Sequence, residues 1–319
     1  MPRPLVSVCF VTYNHAEFVS HALRSALAQD YSNFEIVIAD DGSTDGTADI
    51  VQHFATENPE RVVLLPRRAN QGIPGIVGNY NRVLRGCRGK YIAFLEGDDV
   101  FLPGKIAKQV EWLETDERRV LCGHDVEVFD SASNKRLYLM SELVPMRRGR
   151  GAGLIVRHNV PFSTVSIMIR AAAVPTQGFD DRLRIVLDWK FWIDSLAAGG
   201  HFGYVEGVLA RYRRHPTNIT KHYFQTRQDD QFVTLALVES RYPRLIAACR
   251  YSRARVLLSS GVGCLRRGER SQARYYFLNA LRQSGRPPWK VFVALLLSFF
   301  PERLLAPVMG KRRGAATTA

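Results

Sequence analysis

The sequence that decides the fold is Gly-Lys-Tyr-Ile-Ala-Phe-Leu-Glu-Gly-Asp-Asp at residues 89–99. Its centre, Tyr91–Leu95, is a continuous apolar run, which is typical of a strand buried on both faces of a parallel sheet. The run stops at the acidic residues Glu96, Asp98 and Asp99. Because an unpaired buried carboxylate is costly, these acids are expected where the chain leaves the sheet.

Similar apolar runs precede this strand, and helical patterns separate them. The runs at 6–12, 34–39 and 62–65 predict strands, and apolar residues at helical spacing predict helices over 18–27, 48–54, 73–84 and 103–113. This alternation predicts an α/β fold, with a Rossmann-like, mostly parallel sheet flanked by helices. Asp40 and Asp41 end the second strand as Asp98 and Asp99 end the fourth. Since ligands of such sheets bind beyond the carboxyl ends of the strands, both acidic pairs are expected at one binding edge.

The second half of the chain changes character twice. Residues 131–153 are polar, basic and rich in glycine, which predicts a mobile loop. Strand patterns follow at 163–170 and 204–212, with a helix opening at Asp188 between them. From about Gln225 the patterns are helical. We therefore expect a sheet domain over 1–224 and a basic helical C-terminal extension over 225–319.

Charge is distributed unevenly along the 319 residues. Lys and Arg number 44 against 30 Asp and Glu, for a net charge of +14. Residues 241–319 hold 16 of the basic residues and 2 of the acidic ones, so residues 1–240 are neutral overall. A general nucleic-acid binder would show its basic surplus on its main domain. We therefore expect no nucleic-acid partner.

The five cysteines are widely separated and form no Cys-x-x-Cys pair. Neither a zinc site nor a disulfide framework is indicated, and buried thiols in a reducing compartment are expected. The first residues lack the pattern of a signal peptide. The longest apolar run, Val291–Phe300, is far shorter than the roughly 20 residues that span a membrane. We expect a cytoplasmic protein.

Three segments resemble family 2 glycosyltransferases of the GT-A fold, of the type that builds bacterial cell-surface glycans. They are Val-Ser-Val-Cys-Phe-Val-Thr-Tyr-Asn (6–14), Ala-Asp-Asp-Gly-Ser-Thr-Asp-Gly-Thr (39–47) and the stretch 89–99. The resemblance covers roughly residues 5–220 and implies transfer of a sugar from a nucleotide-sugar donor. Its motifs are specific together, whereas each alone is weak.

The resemblance also implies roles for individual residues. Val11, Thr12 and Tyr13 would border the nucleobase, and Asp41 would accept a hydrogen bond from the uracil ring. Asp98 would hold the ribose, while Asp99 would bind the Mn²⁺ or Mg²⁺ ion that bridges the diphosphate. From the residues alone, a solvated acidic turn and a helix cap at Asp41 remain the alternatives.

Two later segments complete the resemblance. Asp188-Trp189 is similar to a motif in which the Asp opens a helix and acts as general base, in a displacement that inverts the anomeric carbon. The family often has Glu before this Asp, whereas this chain has Leu187. Arg213 would neutralise the leaving diphosphate, and His215 would be a further metal ligand. A helix-capping Asp188 and a solvated basic face are the alternatives.

The C-terminal tail raises a separate question. Pro287-Pro288-Trp289 opens the apolar segment through Phe300, and Lys311-Arg312-Arg313 follow. Aromatic residues beside a cationic cluster are typical of a helix that lies on anionic lipid. Residues 287–313 are therefore a candidate for peripheral attachment to the cytoplasmic face of the membrane. A helix packed against the catalytic domain is the alternative.

Together these patterns predict an inverting, metal-dependent glycosyltransferase that uses a UDP-sugar and a glycan or lipid-linked saccharide acceptor. One alternative is a catalytically inactive relative that acts as a scaffold or binding subunit. Another is a nucleotidyltransferase, which is expected to carry a glycine-rich, basic loop after its first strand. This chain has Tyr13-Asn14-His15 at that position, which disfavours the second alternative.

Overall fold

The structure is a computed structural model, and it describes residues 3–158, 163–218, 224–283 and 288–300. Its strands are β1 (Val6–Thr12), β2 (Phe34–Asp40), β3 (Val62–Leu64), β4 (Tyr91–Glu96), β5 (Val100–Phe101), β6 (Arg119–Asp130), β7 (Arg136–Leu139), β8 (Gly149–Arg150), β9 (Met168–Arg170) and β10 (His201–Arg214). Its helices are α1 (Val19–Leu27), α2 (Thr47–Glu57), α3 (Ile73–Gly86), α4 (Lys105–Glu114), α5 (Met140–Leu143), α6 (Gly153–His158), α7 (Leu187–Ala197), α8 (Phe224–Arg241), α9 (Ile246–Arg266), α10 (Arg270–Gln283) and α11 (Trp289–Leu297).

One sheet organises the first unit of the chain, Met1–Thr234. Its strands lie in the order β3-β2-β1-β4-β9-β6-β10-β5, and β7 and β8 are attached to β6 and β10. Strands β3, β2, β1 and β4 are parallel, as are β6 and β10. The predicted α/β fold with a mainly parallel sheet is therefore confirmed.

The apolar runs of β1, β2 and β4 form the centre of the core. Every residue of β2 is buried, and the side chains of Val8, Phe10 and Phe94 have no exposed surface. Helices α1, α2 and α4 add buried residues to the same cluster, including Leu23, Val51 and Ile106. Burial on both faces explains why these strands are uninterrupted apolar runs, without the alternation of a half-exposed strand.

The structure corrects the interpretation of two segments. Residues 131–153 contain β7, α5 and β8, and β7 pairs antiparallel with β6. The segment predicted as a strand over 163–170 begins instead with a 3-10 turn at Thr164–Ser166, and only Met168–Arg170 is extended. This short strand, β9, runs antiparallel to both β4 and β6. Antiparallel pairing depends on partners far away in the sequence, which the local pattern does not reveal.

The second unit, Leu235–Ala319, is helical over its described residues. The boundary between the units falls within α8, whereas the sequence analysis expected a boundary between residues 224 and 225. Helices α9 and α10 pack against each other, and Phe277 of α10 has no exposed surface. Gly261 of α9 lies against the Phe277 ring, where an added Cβ would come within 2.3 Å of a ring atom. The small residue thus allows the two helices to pack closely.

Candidate active site

The register of the parallel strands brings the polar residues of three motifs to one edge of the sheet. Val11 of β1 pairs with Ala39 of β2 on one side and with Glu96 of β4 on the other. The residues that follow these positions therefore leave the sheet side by side. Gly97 lies in the tightest part of this edge, because an added Cβ would be 2.4 Å from Thr12 Oγ1 and 2.8 Å from His15 Nδ1.

Three possible metal ligands converge at this edge: His15 after β1, Asp98 after β4 and His215 after β10. Nε2 of His215 lies 3.0 Å from Oδ2 of Asp98, and Nε2 of His15 lies 4.0 Å from the same oxygen. One ligand atom from each residue lies within 4.8 Å of the other two. A carboxylate oxygen suits Mn²⁺ or Mg²⁺, and two imidazole nitrogens favour Mn²⁺, since Mg²⁺ prefers oxygen ligands. The donor set therefore fits a divalent ion.

The charges in this cluster affect one another. Burial raises the pKa of the Asp98 carboxyl, but the hydrogen bond with His215 and the charges of both histidines outweigh burial, so that its pKa is lowered. Burial lowers the pKa of His15 and thereby favours the neutral imidazole, despite the nearby Asp98 carboxylate. A neutral imidazole and an ionised carboxylate are the forms that bind a metal.

Asp99, which was expected to bind the metal, faces a different direction. Its side chain is buried, and Oδ1 accepts a hydrogen bond of 3.0 Å from the backbone amide of Arg213. Burial, together with the charges of Asp98 and Glu96, raises the pKa of its carboxyl well above the ordinary value. The group of possible metal ligands therefore contains Asp98, whereas the sequence predicted Asp99 as the metal ligand. The reason is that β5 pairs with β10 directly after Asp99, which turns this side chain toward β10.

Arg213 holds the acidic turn of Asp98 and Asp99 by hydrogen bonds. Its Nε donates to the backbone carbonyl of Asp98 at 2.8 Å, and its guanidinium lies 4.7 Å from the ring centres of both Phe18 and Phe129. The side chain is buried, and a further guanidinium nitrogen lies 3.3 Å from Nδ1 of His21. The expected contact of Arg213 with a donor phosphate stays a prediction.

Glu96 adds a third carboxyl group to this edge. Tyr80 donates a hydrogen bond to Glu96 Oε1, while the buried Oε2 has no hydrogen-bond partner among the described residues. Burial is the main cause that raises the pKa of Glu96 to about 7.

The residues expected around the nucleobase border the β1–β2 side of the edge. Asp41 is buried and its backbone amide donates to the Thr12 carbonyl at 3.0 Å. Nδ2 of Asn70 lies 3.1 Å from Oδ2 of Asp41, and the side chain of Asn79 donates a further hydrogen bond. Burial raises the pKa of Asp41. Thr12 is buried and Val11 half-buried, whereas Tyr13 is exposed at the rim.

The carboxylate that binds the start of α2 belongs to another acid of this loop. Oδ1 of Asp45 accepts a hydrogen bond of 3.0 Å from the amide of Thr47, the first residue of α2, while Gly46 is the N-cap residue. Asp45 also accepts from the amide of Ala16 at 3.0 Å, which ties the β1 loop to the start of α2. Asp41 therefore does not cap α2.

Asp188 lies in the first turn of α7, and its neighbours in the helix are core residues. Trp189 and Trp192 are buried, and the Trp189 indole donates to the carbonyl of Ile155 at 3.0 Å. Burial raises the pKa of Asp188 to about 6, against the opposing hydrogen bond from the Trp189 amide and the charge of Arg227. Burial is the main cause that raises the pKa of Tyr80 and of Glu96, and the charge of Asp188 makes a smaller contribution in the same direction.

The structure brings together Asp98, Asp99, Arg213 and His215 from the sequence analysis, and it adds His15. His15 has no histidine partner at ligand spacing in the sequence, so its local pattern does not indicate a metal ligand. A usable signal was its position, three residues after Thr12 at the end of β1, on the edge where Asp98 was already expected. Parallel pairing of β1 with β4 then brings the two together.

The comparison with known proteins identifies the family. Residues 7–174 match the model of glycosyl transferase family 2. The chain belongs to this family. EpsE of Bacillus subtilis, a candidate glycosyltransferase, is 31% identical over 199 residues, which cover 61% of this chain and 68% of EpsE. The uncharacterised Rv1520 of Mycobacterium tuberculosis is 30% identical over 229 residues, which cover 70% of this chain but only 62% of Rv1520.

One curated relative has a defined activity in its name. WfaP of Escherichia coli, a UDP-Glc:α-D-GlcNAc-diphosphoundecaprenol β-1,3-glucosyltransferase, is 28% identical over 228 residues, which cover 69% of this chain and 82% of WfaP. Together with the family match, it confirms the predicted glycosyltransferase class and the resemblance to enzymes of bacterial glycan synthesis.

Solved structures confirm the fold. TarS of Staphylococcus aureus, in complex with UDP-GlcNAc, aligns with a TM-score of 0.64 at 16% identity, over 92% of this chain and 85% of the TarS chain. The mannosyltransferase PcManGT of Pyrobaculum calidifontis, in complex with GDP-Man and Mn²⁺, aligns with a TM-score of 0.61 at 19% identity, over 96% of this chain and 84% of the other. The chain therefore has the fold of these glycosyltransferases, the GT-A fold.

Proposed function

We propose that the protein transfers a sugar from a UDP-sugar to an acceptor hydroxyl, with a divalent metal and with inversion at the anomeric carbon. The convergence of His15, Asp98 and His215 is the observation that carries this proposal. These three residues would hold the ion, and Mn²⁺ fits their two imidazole donors better than Mg²⁺. The ion, when bound, would offset the negative charge of the donor diphosphate.

The metal-binding role predicted for Asp99 passes to Asp98 in this proposal. Asp98 has an oxygen beside two imidazoles, whereas Asp99 already accepts from the Arg213 amide. The ribose contact predicted for Asp98 stays a prediction, because Oε2 of the neighbouring Glu96 is buried and offers no surface to a donor hydroxyl. Asp99 and Arg213 shape the turn that presents Asp98.

The choice of UDP rests on the resemblance to the family and on TarS, because uracil, thymine and guanine each offer an imino N–H to Asp41. The carboxylate of Asp41 would accept a hydrogen bond from an imino N–H of the base, with Val11 and Thr12 along one side and Tyr13 at the rim. TarS binds UDP-GlcNAc, which agrees with this choice, whereas PcManGT binds GDP-Man.

Asp188 is the proposed general base. It opens α7, it is half-buried, and its charge adds to the burial that raises the pKa of Glu96 and of Tyr80. The carboxylate would accept the proton of the acceptor hydroxyl. The oxygen of that hydroxyl would at the same time attack the anomeric carbon, opposite the leaving diphosphate. This one-step displacement inverts the configuration. A glycan or a lipid-linked saccharide is the proposed acceptor, and the name of WfaP includes a lipid diphosphate of the second type.

A catalytically inactive scaffold is the alternative. The convergence of Asp98 and His215 at one sheet edge, with Asp41 directly after β2 of the same sheet, favours catalysis. Donor screening tests the proposal: thermal-shift measurements with Mn²⁺ and UDP-, GDP- or dTDP-sugars should show stabilisation by UDP-sugars above the other two. Release of UDP from the stabilising donor should follow. Stabilisation without any donor turnover, with and without saccharide acceptors, would support the scaffold instead.

We also infer that the second unit rests on an anionic membrane surface at the cytoplasmic face. Helix α11 packs Val291 and Ala294 inward, while one face made of Trp289, Phe292, Val293 and Leu296 is exposed. Trp289 and Leu296 expose 69% and 65% of their surface. Spacings of three and four residues place such side chains on one stripe of a helix. An aromatic stripe of this kind is typical of helices that lie at the lipid boundary.

The charge of this part of the chain indicates which lipid headgroups it prefers. Sixteen basic residues and two acidic ones lie in residues 241–319, which favours anionic over neutral lipid headgroups. Of the predicted membrane segment 287–313, residues 288–300 are described, while residue 287 and residues 301–313 lie outside the described residues. No helix among the described residues is long and apolar enough to cross a bilayer. The attachment we infer is therefore to the surface.

Sedimentation with liposomes tests this attachment. The full chain should bind vesicles that contain phosphatidylglycerol, bind pure phosphatidylcholine vesicles weakly, and dissociate as salt is added. The double variant Phe292→Asp and Leu296→Asp should lose binding, whereas Leu143→Asp, an equally exposed apolar residue in the first unit, should retain it. Equal binding by the double variant would refute the role of α11.

A further inference from the structure

The segment that leads into α7 is tied to α8 by one carboxylate oxygen. The backbone amides of Arg184, Ile185 and Val186 donate to Oδ2 of Asp230 at 3.0, 2.6 and 2.9 Å. Asp230 is buried, with 2% of its surface exposed. Three successive amides that point at one anion form a backbone nest. Hydrogen bonds to an ionised acceptor are about twice as strong as neutral ones, so this contact fixes the path of the segment.

The nest ends immediately before the proposed base. Val186 is the residue that caps α7, and Asp188 is the second residue of that helix. A shift of the nest would therefore move Asp188 relative to β4 and its acids. We propose that Asp230 is a positioning residue, which holds the start of α7 so that the Asp188 carboxylate faces the acceptor hydroxyl. This inference rests on the function proposed above.

Helix α8 also carries a cation whose charge acts on the proposed base. Burial raises the pKa of Asp188, and the charge of Arg227, one turn before Asp230 on α8, partly offsets that effect. The charge of Asp188 also adds to the burial that raises the pKa of Tyr80 and of Glu96.

The nest is formed by other elements than the sheet edge that is proposed to bind the metal and the nucleotide. His15, Asp98 and His215 follow β1, β4 and β10, whereas the nest joins α8 to the start of α7. Loss of the Asp230 charge should therefore leave donor and metal binding unchanged while it impairs the chemical step. A residue with a merely structural role would not lower kcat while it leaves the affinity for the donor unchanged.

The test uses the full chain and three proteins: wild type, Asp230→Asn and the control Asp181→Asn. The Asn variant keeps the shape of the side chain but removes its charge. Asp181 is an exposed acid in the loop that leads to the same segment. Hydrogen–deuterium exchange should speed up at least about 10-fold at amides 184–186 in Asp230→Asn, and should not change in Asp181→Asn. In Asp230→Asn, kcat should fall about 10- to 100-fold while the affinities for UDP and Mn²⁺ stay within about twofold of wild type.

Two results would overturn the inference. Unchanged exchange at amides 184–186 would show that the carboxylate does not fix the segment. Faster exchange with an unchanged kcat would show that the segment does not position the base. If wild type itself turned over no donor, the proposed function would fail by that result alone, and the exchange measurement would still decide whether Asp230 holds the start of α7.

Discussion

His215 and Asp98 are 117 residues apart in the sequence, yet Nε2 of His215 lies 3.0 Å from Oδ2 of Asp98. The contact exists because β10 pairs with β5, the strand that directly follows the acidic turn. Nδ1 of His215 lies 2.8 Å from Oγ1 of Thr217, which fixes the orientation of the ring. This second contact is typical of histidines that bind metals. The relationship places an imidazole and a carboxylate where one ion can bind both.

Removal of either partner should weaken metal binding. We expect Asp98→Asn and His215→Ala to lower the affinity for Mn²⁺, measured by calorimetry in the presence of UDP, by at least about 10-fold. The reason is that each variant removes one ligand atom from the cluster. Asp49→Asn, an exposed acid of α2, is the control and should bind as wild type does. Full affinity in both site variants would exclude the cluster as the metal site.

The Asp188 carboxyl predicts the acid limb of the pH profile. Its raised pKa of about 6 means that kcat/KM should rise with pH through about 6 and level off above, because a base acts only when deprotonated. Arg227→Gln should shift this midpoint upward, since the cation that favours the ionised form is lost. Asp188→Asn should lower kcat by about 10²- to 10⁴-fold with little change in the KM of the donor. A flat profile between pH 5 and 8 would contradict the assignment.

Gly97 should tolerate no side chain. In Gly97→Ala the new Cβ would meet Thr12 Oγ1 and His15 Nδ1 at 2.4 and 2.8 Å, which displaces the β1 loop and with it His15. We expect donor turnover to fall at least about 10-fold while circular dichroism shows a folded protein. Gly78→Ala in α3 is the matched control, because its Cβ would meet nothing within 4 Å. Wild-type turnover in Gly97→Ala would show that this edge is not the active site.

A buried ion pair within α7 predicts a large effect on stability. Nζ of Lys190 lies 2.5 Å from Oδ2 of Asp194 and 3.6 Å from Oδ2 of Asp180, and all three side chains are buried. Lys190→Ala removes the cation beside the buried Asp194 carboxylate, while Asp180 keeps its pair with Arg182, and the free energy of unfolding should fall by about 3–5 kcal/mol. Lys90→Ala breaks an exposed pair with Glu114 and should cost about 1 kcal/mol or less. Urea denaturation measures both, and similar losses would contradict the argument.

The elements that were predictable from the sequence are those specified by local patterns. Strand β1 ends where the apolar run ends, and β2 and β4 each extend one residue beyond the predicted bounds. The acidic edge was also predictable, because parallel strands place their carboxyl ends together. Strand β9, in contrast, has only three residues, and its antiparallel partners are fixed by tertiary contacts.

The arrangement within the site was less predictable, for a related reason. Adjacent residues of a turn point in different directions, so Asp98 and Asp99 are equivalent in sequence but not in space. Pairing of β5 with β10 turns Asp99 toward the Arg213 amide and leaves Asp98 beside the histidines. His15 and the Asp230 nest likewise depend on contacts between distant segments. The sequence motifs thus identify the binding edge of the sheet, whereas strand pairing decides which contacts each side chain makes there.

The most direct test of the account is the release of UDP from a UDP-sugar by wild type and Asp98→Asn, each measured with Mn²⁺, with EDTA, and after Mn²⁺ is restored. We predict turnover by wild type that EDTA abolishes and Mn²⁺ restores, and a loss of about 100-fold or more in Asp98→Asn. Equal rates for the two proteins, or a wild-type rate that EDTA leaves unchanged, would contradict the account.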